Sequence, residues 1–584
     1  MHNILYAYTG ENNLLQINEI YIKGVNFLEF FNSSMISERN YFTLYKKIEE
    51  DLNKSEGLII DKNFLVNEME IFEFAVYLRL MKGENWDLPI YIFTNSSQKS
   101  FYEFVKSDFT NVSKTIRFDI INSTEFEKDS FSGEANFIHN FKRKTSEKLE
   151  WSSFLKTIEI NDKQTDNHSI ANKWGIYRWS KTIILEEDEA ILDLIKKVDE
   201  DIYFKYLQAI YPVSQDLQIS DNILKIEYTG NPKILYIDDD AEKGWYEIMC
   251  QLIFSKNNIK DFYYLSDELK LKSRDEIVKL CVEKIKNDDI DVVILDFRLH
   301  KIDTSTSNIK QITGYQILEI IKEKINPGIQ VIIFSATNKI WNLQAIQDAG
   351  GDGFVLKERP ENSVDQNFTK DSILSFRKIL EERLQMTFLK DFYNDYRFIE
   401  NLLIPRRNYK NQNPLPKKFV DEVLKWLKLS NDIISKGKCN DANLMSSFLF
   451  KFSVLENLAN RIIDVDTPIY IGKDDKNRNK YEFEFRNSNT KLVNFHEDDN
   501  VSGIYHRTDD IFSSNRSLPW SIKILNTLDY ISDKRFDQEK LNKVIKKRND
   551  FIHSNSTTGD KSTVDNKDII FLHQLIVTGL QNVV

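Results

Sequence analysis

Between residues 233 and 357 the chain repeats one pattern, a short and almost wholly apolar run that ends on a polar residue. KILYIDDD leads into Asp238, Asp239 and Asp240, DVVILDFRL ends its run on Asp296, VIIFSAT on Ser335, and DGFVLKE on Lys357. Short runs of Ile, Val, Leu, Phe and Tyr without alternation predict strands covered on both faces, as in a parallel sheet. Side chains at the carboxyl ends of such strands converge on one crevice, where open α/β sheets hold their ligands. After Lys357, apolar residues at Ile373, Leu374, Phe376, Ile379, Leu380 and Leu384 keep helical spacing and predict the helix that closes this domain.

The flanking regions carry weaker patterns. In residues 1–125, NILYAYT, EGLIID and LPIYIFTNSS predict a first, third and fourth strand, with EMEIFEFAVYLRLMKG as a helix between the last two. Asp61 and Thr94 end two of these strands, but TGEN follows the first where acids would be needed, and no strand lysine stands out. The region is an α/β domain, either a degenerate copy of the mid-chain one or an unrelated fold. Residues 126–231 form a mixed, partly helical connector containing His168, Asn172, Trp174 and Trp179. A helix-borne histidine can carry a phosphoryl group, but without a four-helix pattern or an ATP-binding region His168 reads as a packing residue. The mid-chain domain spans 232–388, a linker 389–418, and a mostly helical domain 419–584, in which the Asp-, Asn- and Ser-rich stretch 465–519 predicts a long loop or small hairpin insert. The fold class is α/β plus α, with a doubly wound, flavodoxin-like domain in mid-chain.

Composition narrows the function. At 584 residues the chain holds roughly three to five domains, and 18 Gly with 10 Pro argue against long disordered tracts. Three distant cysteines (Cys250, Cys281, Cys439) form no metal-ligand spacing and fit a reducing compartment. The start MHNILYAYTGENN lacks a signal-peptide pattern, and no stretch approaches the ~18–20 apolar residues of a membrane span. The expectation is a soluble, cytoplasmic protein. A net charge of -11 disfavours broad nonspecific duplex binding.

The four strand ends, with AGGDGFVLKE before Lys357 and TGYQILEIIK as a third helix, resemble the receiver domain (CheY-like) of response regulators in two-component phosphorelays. The resemblance implies that Asp296 is the phosphoacceptor, forming an aspartyl phosphate. It implies Mg²⁺ held by Asp239, Asp296 and the backbone carbonyl of Arg298, with Asp238 acting through water, as suits a hard cation that keeps several waters. Lys357 would pair with the phosphoryl oxygens, Ser335 would donate to them, and Phe354 would occupy the switch-aromatic position. Two features depart from the family: the loop from Asp296 to Gly314 is about twice the usual length, and Lys357 is followed by Glu-Arg-Pro rather than by proline at once.

Near the C-terminus, KVIKKRNDFIHSNS places Arg548 and Asn549 ahead of His553, and FLFKFSVLENLANRIID supplies Glu456 and Arg461 upstream. This resembles the Arg-x4-His signature of HEPN domains, which include metal-independent endoribonucleases. The resemblance implies His553 as acid/base, Arg548 as phosphate clamp and Asn549 as positioning group. On a helix Asn549 and His553 share a face, whereas Arg548 lies about 140° from His553, so a homodimer or a loosened helix end would complete the site. Lys540, Lys543, Lys546 and Lys547 add local positive charge for RNA. The expected function is a response regulator phosphorylated on Asp296 by a partner histidine kinase and controlling a HEPN-like output, an RNase in antiviral (anti-phage) defence. The alternative is a non-enzymatic relay or phosphate sink acting through protein contacts. No membrane partner is expected.

Overall fold

The computed structural model describes residues 2–8, 25–31, 41–61, 68–81, 88–94 and 118–122 of the N-terminal region, with isolated positions between them. It continues through 167–183, 189–213, 217–336 apart from 307, and 340–407. Toward the C-terminus it describes 415–436, 441–462, 469–473, 479–482, 495–497, 505–507, 538–552 and 563–583.

The N-terminal region contains β1 (His2–Tyr8), β2 (Val25–Phe31), α1 (Tyr41–Lys54), β3 (Gly57–Asp61), α2 (Glu68–Met81), β4 (Ile90–Thr94) and β5 (Phe118–Asn122). Its strands are all parallel, in the order β2-β1-β3-β4-β5. The apolar runs mark β1, β3 and β4, the interior strands. The pattern misses β2 and β5 because these are the edges, where polar residues such as Asn26, Glu29 and Asp119 interrupt the run. The connector is helical where described: α3 (Asn167–Ile183), α4 (Glu189–Glu200) and α5 (Ile202–Ile210), the last capped by Asp201, which accepts from the Tyr203 amide at 2.9 Å.

The mid-chain domain runs β6 (Ile234–Ile237), α6 (Trp245–Met249), β7 (Phe262–Leu265), α7 (Arg274–Asn287), β8 (Val292–Leu295), α8 (Thr313–Ile320), β9 (Gln330–Ser335), α9 (Ile340–Asp348), β10 (Gly353–Leu356) and α10 (Phe368–Leu384). Its five parallel strands follow β7-β6-β8-β9-β10, the same order as the first sheet. Side chains alternate between two cores, as the pleat requires. Ile234, Tyr236, Val292, Ile294, Ile332 and Phe334 meet α3, α6 and α10. Leu235, Ile237, Val293, Leu295, Val331 and Ile333 meet α7, α8 and α9. Helices on both faces make this a doubly wound α/β layer. β7 is an edge strand and only partly buried.

The C-terminal region comprises α11 (Phe388–Leu403), α12 (Lys417–Lys436) and α13 (Asp441–Ile462). Two small antiparallel pairs follow: β11 (Ile469–Lys473) with β12 (Asn479–Glu482), and β13 (Phe495–Glu497) with β14 (Tyr505–Arg507). α14 (Gln538–Ile552) and α15 (Asn566–Val583) complete it. The expected linker 389–418 is corrected at its start. Leu389, Phe392, Ile399 and Leu403 recur at helical spacing and are buried in the C-terminal core, so α11 belongs to that bundle. α11 also grips the mid-chain domain. Lys390 Nζ donates to the Asp289 carbonyl at 2.7 Å and to Asp291 Oδ1 at 2.8 Å, and Asn326 Nδ2 donates to the Lys390 carbonyl at 2.9 Å. A Cβ on Gly328 would stand 2.3 Å from the Leu389 carbonyl oxygen, so only glycine lets the helix approach so closely. These contacts lie before β8 and β9, at the end of the sheet opposite their carboxyl termini. Among the described residues no helix is long and apolar enough to cross a membrane.

Candidate functional site

Parallel register delivers the acids to one place. Ile237 pairs with Leu295, so Asp238 and Asp296 emerge side by side from β6 and β8, where the strand order reverses. Ser335 ends β9, between the strands that carry Asp296 and Lys357, and its carbonyl accepts from the Lys357 amide at 2.9 Å. Lys357 Nζ reaches back across the crevice and donates to Asp238 Oδ2 and Asp296 Oδ2, both at 2.7 Å. Carboxylate oxygens of Asp238, Asp239 and Asp296 lie within 4.8 Å of one another. Asp238, Asp296 and Lys357 are fully buried, leaving Asp239 as the partly exposed member.

Each group is held in place. Asp238 Oδ1 accepts from the Asp240 amide at 2.8 Å, and its other oxygen also accepts from the Tyr236 hydroxyl. Burial pushes the Asp238 carboxyl up to about 6, against the pull of Lys357 and with the repulsion of Asp296. Burial opposes the Lys357 ammonium, but Asp238 and Asp296 together outweigh it and hold its pKa above the ordinary lysine value. The ammonium also lies 5.3 Å from the Phe334 ring centroid and 5.7 Å from that of Trp245, over aromatic faces that favour a cation. The Arg298 amide donates to Asp296 Oδ1 at 3.2 Å, which brings that backbone beside the cluster. Asp240 turns away, bound by Lys243 at 2.6 Å and by Asn172 at 2.5 Å. Phe354 is half-buried against the core shared with α7, α8 and α9.

The donor set fits a hard divalent cation. Three carboxylates face a single ammonium, so two negative charges remain for an oxygen-preferring ion. The long loop after Asp296 is ordered around Asp303, which is fully buried. It accepts from Arg274 at 2.9 Å, from the His300 amide at 3.1 Å and from the Thr313 amide at 3.3 Å. At the loop's end, a Cβ on Gly314 would lie 2.6 Å from the Asp296 carbonyl oxygen and 2.7 Å from that of Phe297. Gly314→Ala is therefore expected to push α8 off the Asp296 loop at a cost of about 1–3 kcal/mol, read as a lower midpoint of thermal unfolding.

The N-terminal sheet repeats the strand order of the mid-chain sheet. With Asp61 aligned on Asp296, both at the carboxyl end of the third strand in sequence, the parallel registers place Thr94 where Ser335 stands. Asp61 is fully buried and accepts from the Tyr6 hydroxyl at 2.8 Å. The position aligned with Asp238 holds Tyr8, and Thr9 and Ser123 lie outside the described residues.

The C-terminal residues are placed differently. Arg548 Nη2 donates to Glu456 Oε1 on α13 at 2.7 Å, and its Nη1 to Asn549 Oδ1 at 3.2 Å. Lys547 binds Asp568 at 2.6 Å and Lys543 binds Glu539 at 2.7 Å, so acids offset much of the basic stripe. His553 and the side chain of His168 lie outside the described residues. A second buried polar cluster lies in the helical bundle. Lys451 Nζ lies 2.9 Å from His573 Nδ1 and donates to Asn431 Oδ1 at 3.2 Å, while His573 Nε2 donates to Asp395 Oδ2 at 3.1 Å. Compared with models of known families the chain matches none. Nor does any curated protein sequence match it.

Proposed function

We propose that the chain is a response regulator whose mid-chain domain is a receiver accepting a phosphoryl group on Asp296. The observation that carries this reading is the buried Lys357 ammonium, 2.7 Å from both Asp238 and Asp296 beside Asp239, at the reversal point of a parallel sheet. Asp238, Asp239, Asp296 and the backbone at Arg298 are the residues that would hold Mg²⁺, which supplies charge neutralisation for phosphoryl transfer. An Asp296 oxygen attacks the phosphorus of a phosphohistidine on a partner kinase. The new O–P bond replaces the P–N bond, and the departing imidazole retains the electron pair and takes up a proton. Lys357 exchanges its bonds to the acids for bonds to the phosphoryl oxygens, with the Ser335 hydroxyl as a second donor. Water later hydrolyses the acyl phosphate and restores the carboxylate.

For the output, the Arg548–Glu456 pair favours a HEPN-like module that acts by protein contact, since the guanidinium is already neutralised by a carboxylate. A ribonuclease acting through Arg548, Asn549 and His553 requires that pair to open. The test compares the full chain before and after treatment with a small acyl phosphate and Mg²⁺, reading cleavage of single-stranded RNA and oligomeric state. A relay acting by contact leaves RNA intact in both forms while its oligomeric state or partner binding changes. RNA cut only by the phosphorylated form, and spared by a His553→Ala variant, would establish the nuclease output instead.

A further inference from the structure

α3 touches both flanks of the Asp296 crevice. On one side Asn172 Nδ2 donates to Asp240 Oδ2 at 2.5 Å, and Trp245 Nε1 donates to Asn172 Oδ1 at 3.1 Å. On the other, Arg178 Nε donates at 3.1 Å to Glu358, the residue after Lys357, and at 3.1 Å to Thr369 Oγ1 at the start of α10. Arg178 and Glu358 are both fully buried. The helix is pressed onto this surface, since a Cβ on Gly175 would lie 3.0 Å from the Trp245 ring and 3.1 Å from the Glu358 carbonyl oxygen.

The same guanidinium reaches further. Arg178 Nη1 donates to the Tyr211 carbonyl at 2.7 Å, where α5 ends. α5 is shared between two cores: Phe204 and Leu207 are buried with the mid-chain sheet, whereas Ile202, Tyr206, Ala209 and Ile210 pack on the N-terminal one. Next to it, the Asp199 carbonyl accepts from the Tyr77 hydroxyl of α2 at 2.9 Å.

We propose that the N-terminal sheet is a regulatory domain of the Asp296 site, coupled to it through Arg178. The inference rests on the phosphoryl-acceptor reading. When Lys357 turns from the acids to a phosphoryl group, Glu358 moves with it along the chain. A buried guanidinium cannot let its carboxylate leave without following, because a stranded buried charge is strongly unfavourable. Arg178 carries that shift to the end of α5, and α5 carries it into the N-terminal core. Linkage makes the coupling reciprocal: whatever binds the N-terminal domain changes how readily Asp296 is loaded.

The test is hydrogen–deuterium exchange on the full chain, with and without Mg²⁺ and beryllium fluoride as a phosphoryl mimic, loading being read by fluorine NMR. Loading is expected to change amide protection in 202–210 and 68–81 as well as around the crevice. In the Arg178→Met/Glu358→Met double variant, which removes both charges so that neither is stranded, the loaded fraction shows no change in those two segments. A wild-type protein that loads while 202–210 and 68–81 stay unchanged overturns the proposal and leaves the phosphoryl-acceptor reading standing, as does a double variant that keeps the distant response. Failure of the wild-type protein to take up the fluoride overturns both.

Discussion

Lys357→Met is expected to destabilise the chain by about 3–5 kcal/mol in the absence of divalent cations and to make Mg²⁺ binding tighter. The side chain lies between Asp238 and Asp296, all three fully buried, and is the cation that balances them. Without it two like charges face each other in a medium that solvates neither, with Asp239 close by. Protonation of Asp238, whose pKa already lies at about 6, recovers part of the loss. Mg²⁺ recovers more, because the ammonium no longer competes for the same oxygens. The measurement is the midpoint of thermal unfolding across a Mg²⁺ titration. The variant should start well below the wild-type protein and gain more from the ion. Equal midpoints without Mg²⁺, or equal gains with it, would mean that Lys357 does not balance the acid cluster.

The second large effect lies in the helical bundle. Burial pushes the Lys451 ammonium down to about 7, with Asp395 opposing. Burial and then Lys451 push the His573 imidazole down to about 3, against its bond to Asp395. A neutral His573 that donates from Nε2 to Asp395 accepts at Nδ1 from Lys451, and this chain joins α11, α12, α13 and α15 through Asp395, Asn431, Lys451 and His573. Lys451 binds a proton more weakly when folded than the ordinary lysine value of 10.5. Between about pH 7 and 10.5 the unfolded chain therefore holds the extra proton, and stability rises with pH by up to about 1.4 kcal/mol per unit. Below pH 7 the full penalty is present and this contribution is flat. Denaturant unfolding followed from pH 7 to 10 should show that slope, and Lys451→Met should remove it. An unchanged slope in the variant would show that Lys451 is charged throughout and paired well enough to stay so.

The interior strands of both sheets were legible because burial on two faces leaves an uninterrupted apolar run, as in ILYI and VVIL. Edge strands β2 and β5 were not, since Asn26, Glu29 and Asp119 interrupt their apolar runs. Asp238, Asp296 and Lys357 were foreseeable together because parallel register brings strand ends to one crevice. Asn172 was named without a role, and Arg178 and Glu358 were missed, since their partners are remote in sequence and a charged residue on a helix ordinarily faces water. A signal was present. Ile170, Ala171, Trp174, Ile176, Tyr177 and Trp179 surround α3 on all sides, so it had to be buried and its Arg178 had to be paired. The same reasoning finds Lys451 within SSFLFKFSVL of α13.

The most direct test of the phosphoryl-acceptor reading is peptide mapping by mass spectrometry after incubation with a small acyl phosphate, with and without Mg²⁺. A single acid-stable, base-labile phosphoryl adduct on Asp296 that requires Mg²⁺ and vanishes in Asp296→Asn is the expected result. An adduct on another residue, or none at all with the acids and Lys357 intact, would contradict it.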